Sequence, residues 1–134
     1  MTLSGLFEYV GAPLANGRWS WGAIRESDSA VLLRVWQDEY KKIEERGSAE
    51  VISVFKGSDE RLGHAERLEH VSRIRSGAPS YMIMCLAKDA KASPRKIASF
   101  NKDDIFVGGQ LIDEADGCSW LQIADRRPVV AVRA

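Results

Sequence analysis

The run at residues 80–87, SYMIMCLA, constrains this chain more than any other stretch. It is apolar at odd and even positions alike, follows Pro79 and runs into the charged loop KDAKASPRK. Eight such residues bounded by a proline and a charged loop read as a strand, and a strand apolar on both faces has to be covered on both. The chain must therefore build a sheet with 80–87 near its centre and other elements packed over it.

Turn chemistry and periodicity supply those elements. Residues 18–25 place Trp19, Trp21 and Ala23 on one alternating face, residues 30–38 are rich in branched apolar side chains, and ESDS separates the two as a hairpin turn. A third strand is expected at 50–55, after the charged segment DEYKKIEERGS, which reads as a helical turn or exposed loop. One well-formed helix follows, capped by Ser58 or Asp59 and stopped by Gly77 and Pro79. Glu66–His70 and Glu69–Arg73 are spaced i,i+4, and Leu68, Val71 and Ile74 form its buried side.

Beyond the central run, short strands are expected at 97–100, 105–107, 111–114, 118–123 and 129–132, with ADGC as an Asp-Gly hairpin turn. Seven or eight short strands need their edges covered. The expected architecture is α+β: a small, partly closed mixed β-barrel of about seven strands with one main α-helix packed on it, residues 1–134 forming one domain.

Charge then limits the partners. Nineteen Lys and Arg balance nineteen Asp and Glu among 134 residues, so no overall field draws the molecule to polyanions, and an anion site must be a local patch. The N-terminal segment has no basic leader, and no apolar run approaches the ~20 residues that span a bilayer. A cytoplasmic protein without membrane contact is expected. Cys85 and Cys118 lack the spacing of a metal knuckle or redox pair and read as buried free thiols.

Motifs for dinucleotide, nucleotide, serine-hydrolase and zinc-protease chemistry are absent. His64 and His70 lie about 240° apart around a helix and cannot share a metal from one face, so His64 reads as hydrogen-bonded near the core and His70 as solvated. A nuclease-like D/E-x-K triplet occurs at Glu39–Lys41, downstream of Asp28 and Asp38, and again at Asp89–Lys91. With nineteen acids and seven lysines, about one such triplet arises by chance. No catalytic residue, metal or cofactor is expected.

Two features point instead to binding. Lys88, Lys91, Arg95, Lys96 and Lys102 cluster against the single acid Asp89, a patch able to touch several phosphates. In the hairpin, Val31, Leu33 and Val35 suffice as a core face, which leaves Arg34 and Trp36 on the other, with Arg25 nearby. A tryptophan flanked by arginines stacks bases and binds phosphates, as recognition of single strands or flipped bases requires. Trp19 and Trp21 are expected to lean inward.

The blocks RWSWGAIRESDSAVLLRVWQDE and ERLEHVSRIRSGAPSYMIMCLAKDAKASPRKIASF resemble accessory modules of bacterial HNH-type restriction nucleases, and the order of strands and helix is similar to PUA-like barrels, which include modified-base readers. No HNH metal motif is present. The resemblance implies a reader without the nuclease: a non-catalytic nucleic-acid-binding module, DNA ahead of RNA, associated with restriction or phage defence and partnered by a separate nuclease or other protein. Arg25, Arg34, Trp36, Lys88, Lys91, Arg95 and Lys96 are its candidate contacts. The alternatives are an inhibitor or adaptor that binds a protein, and a compact metal-dependent nuclease built on Asp28 or Asp38 with Glu39 and Lys41.

Overall fold

The computed structural model describes residues 1–57, 61–93 and 95–133. Eight strands form one mixed sheet: β1 (Gly22–Ile24), β2 (Val31–Trp36), β3 (Tyr40–Ile43), β4 (Ala49–Phe55), β5 (Ser80–Ala87), β6 (Ile97–Phe100), β7 (Asp104–Asp113) and β8 (Ser119–Pro128). Among the described residues three α-helices accompany them, α1 (Leu3–Tyr9), α2 (Gly63–Arg75) and α3 (Val129–Val132). Strand order is β1-β2-β5-β7-β8-β4-β3, with β6 also paired to β5. Only β2 and β5 run parallel, and the other pairs are antiparallel.

The central run behaves as its two-faced apolarity demands. Met82 and Met84 join one core with Val31, Leu33, Val35, Ile52, Val54 and Leu121, covered by Val71 and Ile74 of α2. Ile83 joins the other with Leu32 and Ile105, covered by Leu6, Phe7 and Val10 near α1 and by Val129 and Val132 of α3. Alternation along β2 and β5 thus divides two cores between the two faces of one sheet.

The architecture is α+β, but the sheet is not closed into a barrel. No ladder joins β2 to β4, although Val35 and Val54 share one core. Arg67 of α2 spans the gap instead. Its Nη1 donates to the Val54 carbonyl of β4 at 2.7 Å, and its Nη2 donates to the Arg34 carbonyl of β2 at 2.7 Å and to the Trp21 carbonyl at 2.9 Å. A planar guanidinium can satisfy carbonyls on both sides where backbone N–H groups are missing.

Several expectations are corrected. Residues 38–48 hold β3 between two 3₁₀ turns rather than only a loop or helical turn. The strands expected at 105–107 and 111–114 are one strand, β7, interrupted by register shifts around Gly108, where any β-carbon would collide with the Ser80 hydroxyl. Residues 129–132 form α3: Pro128 precedes the turn, and the Val129 N–H donates to the Asp103 carbonyl at 2.8 Å. Helix α1 carries no capping box and is held by its Thr2 N-cap and by burial of Leu6 and Phe7.

On α2, Leu68 is exposed and Arg67 and His70 are buried beside Val71 and Ile74. His70 is therefore not solvated, and burial holds its pKa below the ordinary value. The expected cap at Ser58 or Asp59 lies outside the described residues. Glu69 and Arg73 form the expected pair at 3.0 Å. The Asp-Gly turn joins β7 to β8, with Gly117 at φ +86° and the Glu114 N–H bonded to the Cys118 carbonyl. Both cysteines are free; Cys85 is buried and Cys118 only partly so. Among the described residues no helix is long and apolar enough to cross a membrane.

Candidate nucleic-acid interface at the open seam

The unpaired stretch between β2 and β4 opens into a cleft of about 70 Å³. From the residue before β1 comes Trp21, from β2 and the turn after it Arg34, Trp36 and Glu39, from β4 and the residue after it Phe55 and Lys56, and from α2 and its approach Arg61, His64 and Arg67. Arg95 enters from the 88–96 loop. Five of these side chains are basic beyond the histidine, and one is acidic.

The aromatic walls are held in place. The Trp21 indole lies against Gly63, where any β-carbon would strike the ring, and carries Arg61 at 4.6 Å and Arg67 at 5.7 Å from its centroid. Phe55 packs on the His64 ring at 4.7 Å. His64 Nε2 lies 2.9 Å from the Lys56 carbonyl, which can only accept, so Nε2 carries the proton. Trp36, half-buried, has Arg95 at 5.5 Å from its centroid.

Arg95 fastens the basic loop to this wall. Its Nη1 donates to both Asp38 oxygens, at 2.7 and 2.8 Å, just past the end of β2. Lys88 closes the loop through its N–H to the Lys96 carbonyl. Lys88, Lys91 and Lys96 are exposed, and none has a carboxylate partner among the described residues. The loop and the Trp36 platform therefore meet on one side of the molecule, joined through Arg95.

Charges in the cleft are unequally matched. Lys56 pairs with Glu39 and Arg95 with Asp38. Arg67 is buried, bonds only to neutral carbonyls, and its Nε has no partner among the described residues. Burial, with Arg34's charge second, pushes the Arg67 pKa down to about 9. Arg34 shows the same downward direction, chiefly from burial, and its guanidinium makes no hydrogen bond to a described residue. The thiol of Cys85, paired in register with Trp36, is pushed up to about 11 by burial and stays a thiol at neutral pH.

The other expected contacts fall elsewhere. Arg25 does not join Trp36, a correction with a clear cause: its guanidinium turns inward, bonding both Asp28 oxygens and donating to the Val10 and Val132 carbonyls at 3.1 and 2.7 Å. It ties the end of α1 to α3. Trp19 sits half-buried in the turn at 17–19 and does not line the cleft, whereas Trp21, expected to lean into the core, does.

The residues of the nuclease-like triplet are dispersed. Asp28 is held by Arg25 and Glu39 by Lys56, while Lys41 lies over the Trp120 ring at 3.9 Å with Glu114 at 3.0 Å. Among the described residues no group of three or more His, Cys, Asp or Glu gathers to hold a metal. Sequence reasoning missed Phe55, Lys56, Arg61, His64 and Arg67 as cleft residues. The one available signal was the arginine spacing on α2, which sets Arg67 on the side that includes Val71 and Ile74. No family model matches this chain, and no curated protein or solved structure matches it.

Proposed function

We propose that this chain is a non-catalytic nucleic-acid-binding module that receives one unstacked base in the β2–β4 seam, while the 88–96 loop touches the flanking phosphates. The observation that carries the reading is Arg34: a half-buried guanidinium without a hydrogen-bond partner among the described residues, in a cleft walled by Trp21 and Trp36. An anion with a flat ring supplies both the missing acceptor and a stacking surface. A curled, open-seamed α+β sheet is compatible with a PUA-like fold, and the aromatic and basic lining of the cleft suits a flat anion.

The deciding experiment is a tryptophan-fluorescence titration with single-stranded, duplex and cytosine-modified oligonucleotides of DNA and RNA at two salt concentrations. Quenching by single strands or modified sites, weakened by salt, supports the reading. Unchanged affinity in a Lys88, Lys91, Lys96 triple-alanine variant removes the loop from it, and absence of binding by every oligonucleotide removes the reading itself.

A further inference from the structure

The arrangement of charge in the seam also bears on which part of a strand it accepts. Arg67 bonds the Arg34 carbonyl at 2.7 Å and feels the Arg34 charge, and neither guanidinium is bonded to a carboxylate among the described residues. The acid they both feel, Glu66, has its two oxygens occupied, Oε2 by the Ser20 hydroxyl at 2.9 Å and Oε1 by the Trp21 N–H at 3.0 Å. At the rim the basic side chains Lys56 and Arg95 are matched by Glu39 and Asp38. Helix α2 begins beside the cleft, at Gly63 and His64, without a side-chain cap among the described residues, and its positive end adds to the same region.

A phosphodiester within a strand brings one negative charge. A terminal phosphate monoester brings about 1.5 to 2 at pH 7 and three strong acceptor oxygens, a better match for two guanidiniums in a partly dry cleft. Resting on the nucleic-acid reading above, we infer that the seam takes the phosphorylated end of a strand, the monoester lying against Arg34 and Arg67 and the terminal base against the tryptophan walls. Arg67 contributes its charge. Arg34 contributes the open donors.

Fluorescence anisotropy on the full chain at constant salt tests this, using single-stranded oligonucleotides of one sequence with a 5′-phosphate, a 3′-phosphate or neither, and a nucleoside 5′-monophosphate as competitor. One phosphorylated end should bind at least tenfold more tightly than the unphosphorylated strand. Arg34→Gln, which breaks no hydrogen bond among the described residues, should fold normally by circular dichroism and lose that preference. Equal binding of all three strands overturns end recognition while leaving the strand-binding reading intact, and an undiminished preference in Arg34→Gln overturns the placing of the monoester against Arg34. A competitor as potent as the phosphorylated strand upholds the monoester chemistry and overturns the strand end as its source, and no binding by any probe overturns both readings.

Discussion

Arg67 reaches from α2 to the Val54 carbonyl at 2.7 Å, and with that contact a single side chain takes the place of the ladder that β2 and β4 never form. The same guanidinium bonds the Arg34 and Trp21 carbonyls. The seam is thus both the place where the sheet lacks a ladder and the place where the cleft residues gather.

Arg67→Met should destabilise the protein by about 2–4 kcal/mol, because it removes the side-chain donors to the Val54 and Arg34 carbonyls, while the Trp21 carbonyl keeps the Arg34 N–H at 2.9 Å. Arg67→Lys should fall between, keeping a charge but losing the planar fork. Urea midpoints measure both, and an unchanged midpoint in the methionine variant would show that the bridge contributes nothing.

Acidification should weaken the fold through His70. Its ring is buried, its Nδ1 has no partner among the described residues, and burial, acting against the nearby Glu66 and Glu69 and together with Arg67 and Arg73, lowers its pKa. The unfolded chain therefore binds a proton at higher pH than the folded one. The stability this group contributes is complete above its ordinary pKa of about 6.5 and falls as pH drops toward the lower folded value. Melting at pH 7.5 and 5.0 should show the loss, and His70→Leu should flatten that part of the profile.

Gly63→Ala tests the seating of Trp21. Alanine is the better helix former by about 1 kcal/mol, yet its β-carbon meets the indole, so the ring must leave its place. A shifted tryptophan emission spectrum and weaker oligonucleotide binding are expected. Unaltered emission would mean that the wall relaxes without consequence.

Trp36→Ala should reduce oligonucleotide affinity more than alanine at Lys88, Lys91 or Lys96, since base–aromatic stacking contributes about 1–3 kcal/mol. Each lysine variant should instead lower the salt slope by about one. Paired titrations across salt concentrations separate the two behaviours, and a lysine variant weaker than Trp36→Ala would reverse the assigned roles.

Arg25 provides the opposite control. Arg25→Met should cost about 1–3 kcal/mol through the orphaned Val10 and Val132 carbonyls while leaving the affinity of the folded protein unchanged. Its partner Asp28, held below the usual carboxylate range chiefly by the Arg25 hydrogen bond, loses that contribution as pH falls through its lowered pKa. A drop in affinity greater than the drop in stability would place Arg25 back among the contacts.

The contrast between Arg25 and Arg34 shows how far residue pattern alone reaches. Alternation on β2 separated Val31, Leu33 and Val35 from Arg34 and Trp36, because a period of two is a local property of a strand. The two-faced run at β5 identified its own burial for the same reason. The destination of Arg25 depends on where Val10 and Val132 come to lie, a matter of tertiary closure that its neighbours in sequence do not encode. Arg67 was hidden in a different way. A charged residue at an apolar helix position reads as solvated, and only the missing β2–β4 ladder explains its burial. Residues 129–132 read as a strand by β-branching, but α3 forms where Val129 and Val132 can both reach the core.

One arginine where a row of peptide groups would otherwise sit leaves stability and access in competition. Had the two strands zipped together, their carbonyls would be satisfied without any help from α2, and the molecule would be sturdier and have no mouth. Variants selected only for heat resistance should drift toward that zipped arrangement, growing harder to melt as they lose their grip on whatever enters the seam.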